Sequence, residues 1–125
     1  MSSQTVLSLL ISILTASIAQ IVLKKGASAL SDLKFSLSSI MNTILNIFQN
    51  KWLLAGMILF VISFVFYIFV LSKIQLTFAY PVMVSVGMVL VIVGSWIFLG
   101  ERLSLPNIIG IALIILGIFL LVSKA

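Results

Sequence analysis

Residues 52–71 read WLLAGMILFVISFVFYIFVL, an uninterrupted stretch without one charged side chain. An α-helix rises about 1.5 Å per residue and the hydrocarbon core of a bilayer is about 30 Å thick, so this stretch has the length that a transmembrane helix requires. Lys51 and Lys73 bracket it, as is typical of residues at the two membrane surfaces. The stretch therefore predicts a membrane-spanning helix.

Three more stretches of the same kind surround it, at residues 5–23, 78–99 and 106–122. Hydrophobic residues make up 63% of the chain and charged residues only 7%, which is outside the range of soluble globular proteins. The predicted fold class is therefore an all-α integral membrane protein with four transmembrane helices. We expect residues 1–125 to form a single domain.

An amphipathic helix is predicted at about residues 35–50, between the first two spans. Its polar face carries serine, asparagine and glutamine side chains, and such a helix lies in the membrane interface. We interpret it as an anchor that orients the loop, in preference to a functional lid or a partner-docking surface. The residues of its apolar face are Leu37, Ile40, Met41, Ile44, Leu45 and Phe48.

The positive charges mark the ends of the spans. The formal net charge is +5, but the basic residues are scattered at the ends of apolar stretches, which indicates membrane boundaries rather than a nucleic-acid partner. Lys24, Lys25, Lys34, Lys51 and Arg102 fall on one side, against Lys73 and Lys124 on the other. This difference predicts that both termini lie outside the cytoplasm, but it is small, and the sequence leaves the orientation open.

The residues available for chemistry are few. Cysteine and histidine are absent, which excludes a thiol nucleophile, a disulfide and the usual zinc and haem ligand sets. None of the four spans contains Asp, Glu, Lys or Arg, the usual carriers of proton coupling in transporters. We therefore predict a protein that is not an enzyme and that has no cofactor or metal. Glu101 and Arg102, in the loop after the third span, are interpreted as topological charges.

The first span offers two candidate ligands for a substrate. Gln20 ends a stripe of small and mildly polar residues with four-residue spacing, one turn before Lys24. In one interpretation the stripe packs tightly and Gln20 bonds a neighbouring helix. In the other, Gln20 and Lys24 stand at the mouth of a cavity and hold a phosphate or sugar head group. Lys24 is also typical of the basic residues that end a transmembrane helix at the membrane interface.

Further candidates lie in the other spans. A phenol at mid-depth needs a hydrogen-bond partner, so Tyr67 and Tyr80 are better candidates than any phenylalanine for lining a substrate cavity. Ser17 and Ser63 complete the predicted substrate-binding set. In the fourth span, two glycines one heptad apart share a face and favour helix pairing, which predicts a dimer interface. These glycines are Gly110 and Gly117.

Three segments carry a resemblance to a known family: Phe78-Ala79-Tyr80-Pro81, residues 95–103 and residues 110–117. The chain resembles four-helix members of the drug/metabolite transporter superfamily, which are EamA-like or small multidrug resistance-like. Drug exporters of that type place a glutamate eight residues before the lysine that ends the first span, and here that position is Ala16. They also place a tryptophan four residues before a glycine of the third span, and here that position is Met83.

A second branch is closer. Ala19-Gln20 followed by Lys24, and Ala79-Tyr80-Pro81, are similar to subunits of the aminoarabinose-phosphoundecaprenol flippase type. The resemblance implies half of a transporter, working as a homodimer or with a related subunit, whose substrate is a polyprenyl-phosphate-linked sugar or similar amphiphile. It also implies the bacterial cytoplasmic membrane. Two alternatives stay open: a small multidrug or metabolite exporter, and a noncatalytic assembly partner of a glycosyltransferase or heterodimeric transporter.

Overall fold

The computed structural model describes residues 2–30 and 39–123, and in those residues it contains helices and no strand. Four of the helices are long and apolar enough to cross a membrane, which confirms the predicted fold class. A short 3-10 turn, Ser28–Leu30, follows the first helix. The α-helices are α1 (Ser3–Ala27), α2 (Ile40–Gln49), α3 (Lys51–Leu71), α4 (Leu76–Phe98) and α5 (Leu105–Ser123).

Helix α2 is the short amphipathic element between the first two spans. Its apolar side chains are largely exposed, including Met41, Leu45 and Phe48, and none of its residues is buried. Residues 35–38, where the sequence predicts its first turn, lie outside the described residues. The role of α2 as an interfacial anchor stays a prediction.

Helices α1 and α3 form the closest pair in the bundle, because small residues let their backbones approach. A Cβ added at Gly56 would lie 2.6 Å from Cγ of Leu23 and 3.3 Å from the carbonyl oxygen of Ala19. Midway along the pair, Ser12 Oγ donates to the Ser63 carbonyl oxygen at 3.0 Å, and Ser63 Oγ donates to the Ser12 carbonyl oxygen at 2.8 Å. The reciprocal bonds fix the register of the two helices.

Asn50 joins the end of α1 to the start of α3. Its Oδ1 accepts from the Trp52 N–H at 2.9 Å and so caps α3, while its Nδ2 donates to the Gly26 carbonyl oxygen at 3.1 Å. Lys25 Nζ lies 4.2 Å from the centroid of the Trp52 ring at the same end. Since the spans alternate in direction, the loop between α4 and α5 lies at this end too, whereas Lys73 lies at the opposite end.

Helix α1 packs along both α3 and α4, but α3 and α4 barely touch each other. At the end where α1 begins, the gap between them is closed by a small apolar core. Toward the other end none of the described residues fills it, and a cleft remains between the two helices. Helix α5 packs mainly against α4, and none of the residues in Leu105–Ser123 is buried. The core residues are Leu9, Ile13, Tyr67, Val70, Ala79 and Val82.

Candidate functional site

A cavity of about 510 Å³ occupies the cleft between α3 and α4, with α1 as its floor. This volume lies in the usual range for small-molecule sites. Its rim is exposed at Phe64, Tyr80 and Met88, so the cavity opens sideways, toward lipid or a second subunit, rather than only toward water. We name it the central cavity.

Five of the six substrate-binding residues predicted from the sequence line the central cavity. Helix α1 contributes Ser17 and Gln20, α3 contributes Ser63 and Tyr67, and α4 contributes Tyr80. Lys24 does not line the cavity. It follows Gln20 by one helical turn, about 6 Å along the axis, and is exposed at the end of α1. Their roles as ligands stay predictions, but the structure brings these residues together.

The Tyr67 hydroxyl is a buried polar group in the cavity wall. The side chain is only 9% exposed, and its oxygen is buried without a hydrogen-bond partner in the part of the chain that the structure describes. A buried hydroxyl left without a partner costs about 1–3 kcal/mol. A ligand that hydrogen-bonds it would recover this energy. Tyr80, in contrast, is 56% exposed at the rim.

The two serines of the predicted set are already occupied by helix backbone. Ser17 Oγ donates to the Ile13 carbonyl oxygen at 2.7 Å, and Ser63 Oγ donates to Ser12 as described above. Each hydroxyl proton is therefore used, and only oxygen lone pairs are left for a substrate. Gln20 and the two tyrosines are the cavity residues with uncommitted donors.

One face of α4 supplies a large part of the cavity wall, and of the residues on this face the sequence predicted only Tyr80 as a substrate-binding residue. Tyr80, Val84, Gly87, Met88 and Val91 recur at helical spacing and line the cavity together. That periodicity was readable once Tyr80 was taken as a lining residue. The whole of α4 is apolar, however, so its sequence alone does not distinguish the cavity face from a lipid face.

Among the residues that the structure describes, those that line the central cavity include no carboxylate and no ammonium or guanidinium group. Ala16 and Met83, the positions at which the resemblance places a glutamate and a tryptophan in drug exporters, both line it. All of its polar groups are neutral hydrogen-bonding groups. The cavity can therefore bind a polar, uncharged group and surround it with apolar wall.

Comparison with known proteins fits this architecture. The family model described as Small Multidrug Resistance protein matches residues 36–114, more than half of the chain. The chain belongs to the small multidrug resistance family. No solved structure matches it. The family match covers α2, α3, α4 and the first half of α5, whereas Ser17, Gln20 and Lys24 precede it.

Two kinds of curated relative are similar to this chain. It is 37% identical over 73 residues to a probable 4-amino-4-deoxy-L-arabinose-phosphoundecaprenol flippase subunit ArnE of Aeromonas hydrophila, covering 58% of this chain and 63% of the relative. It is 35% identical over 75 residues to the multidrug resistance protein EbrB of Bacillus subtilis, covering 59% and 64%. The matches thus span less than two thirds of each relative's length.

Proposed function

We propose that this protein is a subunit of a transporter that moves the polar head of a lipid-linked sugar, or of a similar amphiphile, across the bacterial cytoplasmic membrane. The main support for this proposal is the central cavity. It is lined by neutral hydrogen-bonding groups, it contains an unpartnered buried hydroxyl at Tyr67, and it opens sideways between α3 and α4. The head would occupy the cavity while the tail stays in the bilayer.

The charges at the cavity mouth suit a phosphate-linked head. Lys24 stands one turn beyond Gln20, at the membrane surface, where it keeps its hydration. A phosphate there meets a cation without entering the hydrocarbon, and the sugar hydroxyls reach Gln20 and Tyr67. The similarity to a flippase subunit that is named for a phosphoundecaprenol-linked sugar supports the same substrate class.

A dimer would complete the site, because the central cavity has one open side. Helix α5 has no buried residue, and an added Cβ at Gly110 or Gly117 would meet no heavy atom within 4 Å. No part of the chain that the structure describes would meet such a Cβ, although Gly110 also borders a cavity between α4 and α5. We propose that α5 pairs with a second copy or a related subunit by close approach of small residues, with the contact centred on Gly117 and Gly110 at its margin.

A multidrug exporter is the second candidate, favoured by the similarity to EbrB and by the aromatic and apolar wall. Such a protein needs a group that attracts cations and takes up protons, and the described residues of the cavity wall offer none. The third candidate is a noncatalytic assembly partner, which would leave the chain inert alone and active only in complex.

Head-group translocation in proteoliposomes tests the proposal. We expect Gln20→Ala and Lys24→Ala each to slow the exposure of a fluorescent polyprenyl-phosphate-linked sugar about fivefold, since each removes roughly 1 kcal/mol of head-group interaction. Dithionite quenching of the exposed fluorophore measures the rate.

Lys73→Ala is the matched control, because it removes an exposed lysine from the opposite end of the bundle. We expect it to translocate at the wild-type rate. Wild-type rates in both Gln20→Ala and Lys24→Ala would remove these residues from the site.

A further inference from the structure

A second cavity, of about 460 Å³, lies in the wedge between the end of α4 and the start of α5. Its polar wall consists of Ser95 on α4, Glu101 and Arg102 in the connecting loop, and Asn107 on α5. Val91, Ile92 and Ile114 are among the apolar residues that continue it into the membrane. We name it the loop cavity. It has a charged end at the membrane surface and an apolar end in the hydrocarbon.

Gly100 explains why both charged residues of the loop border this cavity. Its φ of +70° is in the left-handed region, which side chains other than glycine rarely adopt. The turn folds the chain back, so that the Glu101 N–H donates to the Ser95 carbonyl oxygen at 3.3 Å. Glu101 and Arg102 are thereby held over the end of α4.

The two opposite charges do not neutralise each other. Within residues 2–30 and 39–123, neither the Glu101 carboxylate nor the Arg102 guanidinium has a hydrogen bond or an ion pair. A carboxylate and a guanidinium that border the same cavity, both without a partner in the described residues, present an acceptor and a donor of opposite sign to one ligand. Apolar side chains form much of the remaining wall of the cavity.

We infer that the loop cavity binds the head of a zwitterionic membrane amphiphile, with Arg102 on its phosphate and Glu101 on its ammonium group. The tail then lies along Val91, Ile92 and Ile114. Asn107 and Ser95 supply neutral hydrogen bonds between the charged groups and the apolar wall. The site is formed by the turn at Gly100 and by the wedge between α4 and α5.

The loop cavity adjoins the central cavity, because Val91 and Ile92 line both. It also lies at the end of the bundle that carries Lys24. If the proposed function holds, an amphiphile bound there waits beside the route into the central cavity. Two sources offer the required head: a bilayer phospholipid with an amine, and a phosphate-linked amino sugar on a polyprenyl chain.

Photo-crosslinking of the full chain in nanodiscs tests the inference. The probes are phosphatidylethanolamine, phosphatidylglycerol and an amino-sugar polyprenyl phosphate, each with a diazirine in its tail. We expect label on residues 91–95 and 110–114. Arg102→Gln should lower it roughly tenfold for all three probes, the loss expected for a charge-assisted hydrogen bond. Glu101→Gln should lower it only for the two probes with an amine.

Lys73→Gln is the matched control and should label as the wild type does, while Arg102→Lys should recover part of the signal because it restores the charge. Label that is insensitive to Arg102→Gln, or spread equally over the lipid-facing side of α5, would overturn the inference. Labelling of the loop cavity in monomers but not in dimers would also overturn the inference, because a second chain would then fill the wedge between α4 and α5.

Competition between the probes identifies the source. If equimolar amino-sugar polyprenyl phosphate displaces phosphatidylethanolamine, the loop cavity binds substrate before it enters the central cavity. If phosphatidylethanolamine displaces the amino-sugar polyprenyl phosphate, the loop cavity is a site for bilayer lipid. Tyr67→Phe, which alters only the central cavity, should leave the labelling unchanged. If the wild-type chain fails to translocate the head group while the loop cavity is still labelled, the result counts against the proposed function and not against the loop cavity.

Discussion

An Ala16→Glu variant is expected to lose roughly a hundredfold in head-group translocation at neutral pH. Ala16 lines the central cavity at mid-membrane, where a charged side chain costs about 2.5–3.5 kcal/mol. An ionised carboxyl there would also repel the phosphate of the substrate as it passes. The rate of fluorophore exposure in proteoliposomes measures the loss.

Ala16→Gln is the matched control, because glutamine has nearly the same size and no charge. We expect it to lose only the steric part of the effect, and we expect acidification to restore activity to the glutamate variant alone, as its carboxyl becomes protonated. Equal losses in the two variants, without dependence on pH, would show that volume rather than charge matters in this cavity.

Gly56→Ala is expected to destabilise the bundle by about 2 kcal/mol, within the range seen for overpacked cores. The added Cβ would meet Cγ and Cδ2 of Leu23 at 2.6 and 2.7 Å, so α1 and α3 must separate or Leu23 must change rotamer. Both responses disturb the floor of the central cavity. Unfolding in mixed micelles titrated with a denaturing detergent gives the free energy.

Gly87→Ala is the control for Gly56→Ala, since both add one methyl group to a helix. The nearest atom to a Cβ at Gly87 is Ser17 Oγ at 3.7 Å, an ordinary van der Waals contact. We expect its free energy of unfolding to equal or slightly exceed that of the wild type, because alanine favours helix over glycine. Equal stability of the two variants would contradict the close approach of α1 and α3.

The length and apolarity of four stretches were enough to predict the membrane fold, because the bilayer fixes how many apolar residues a helix needs. The amphipathic period at about residues 35–50 likewise predicted a helix between the first two spans, and α2 occupies Ile40–Gln49. A similar rule identified the tyrosines as candidate cavity residues, because a phenol deep in a membrane protein needs a hydrogen-bond partner. Tyr67 lies in the cavity wall. These predictions rest on local chemistry.

Pairwise geometry was harder to predict. The sequence did not indicate that α3 and α4 barely touch, although this gap creates the central cavity. Nor did it indicate that Ser63 commits its proton to Ser12, because either serine alone looks like a free hydroxyl. Glu101 and Arg102 were interpreted as topological charges, since the wedge that they border depends on how α4 and α5 diverge.

In the described residues, the wall of the central cavity contains no group that can exchange protons for cations. Reconstitution of this chain alone in vesicles with an imposed pH gradient tests it most directly, with a fluorescent lipophilic cation and a labelled lipid-linked sugar followed in parallel. We predict sugar head-group translocation that does not depend on the gradient, and cation movement equal to that of protein-free vesicles. Gradient-driven export of the cation would contradict the account.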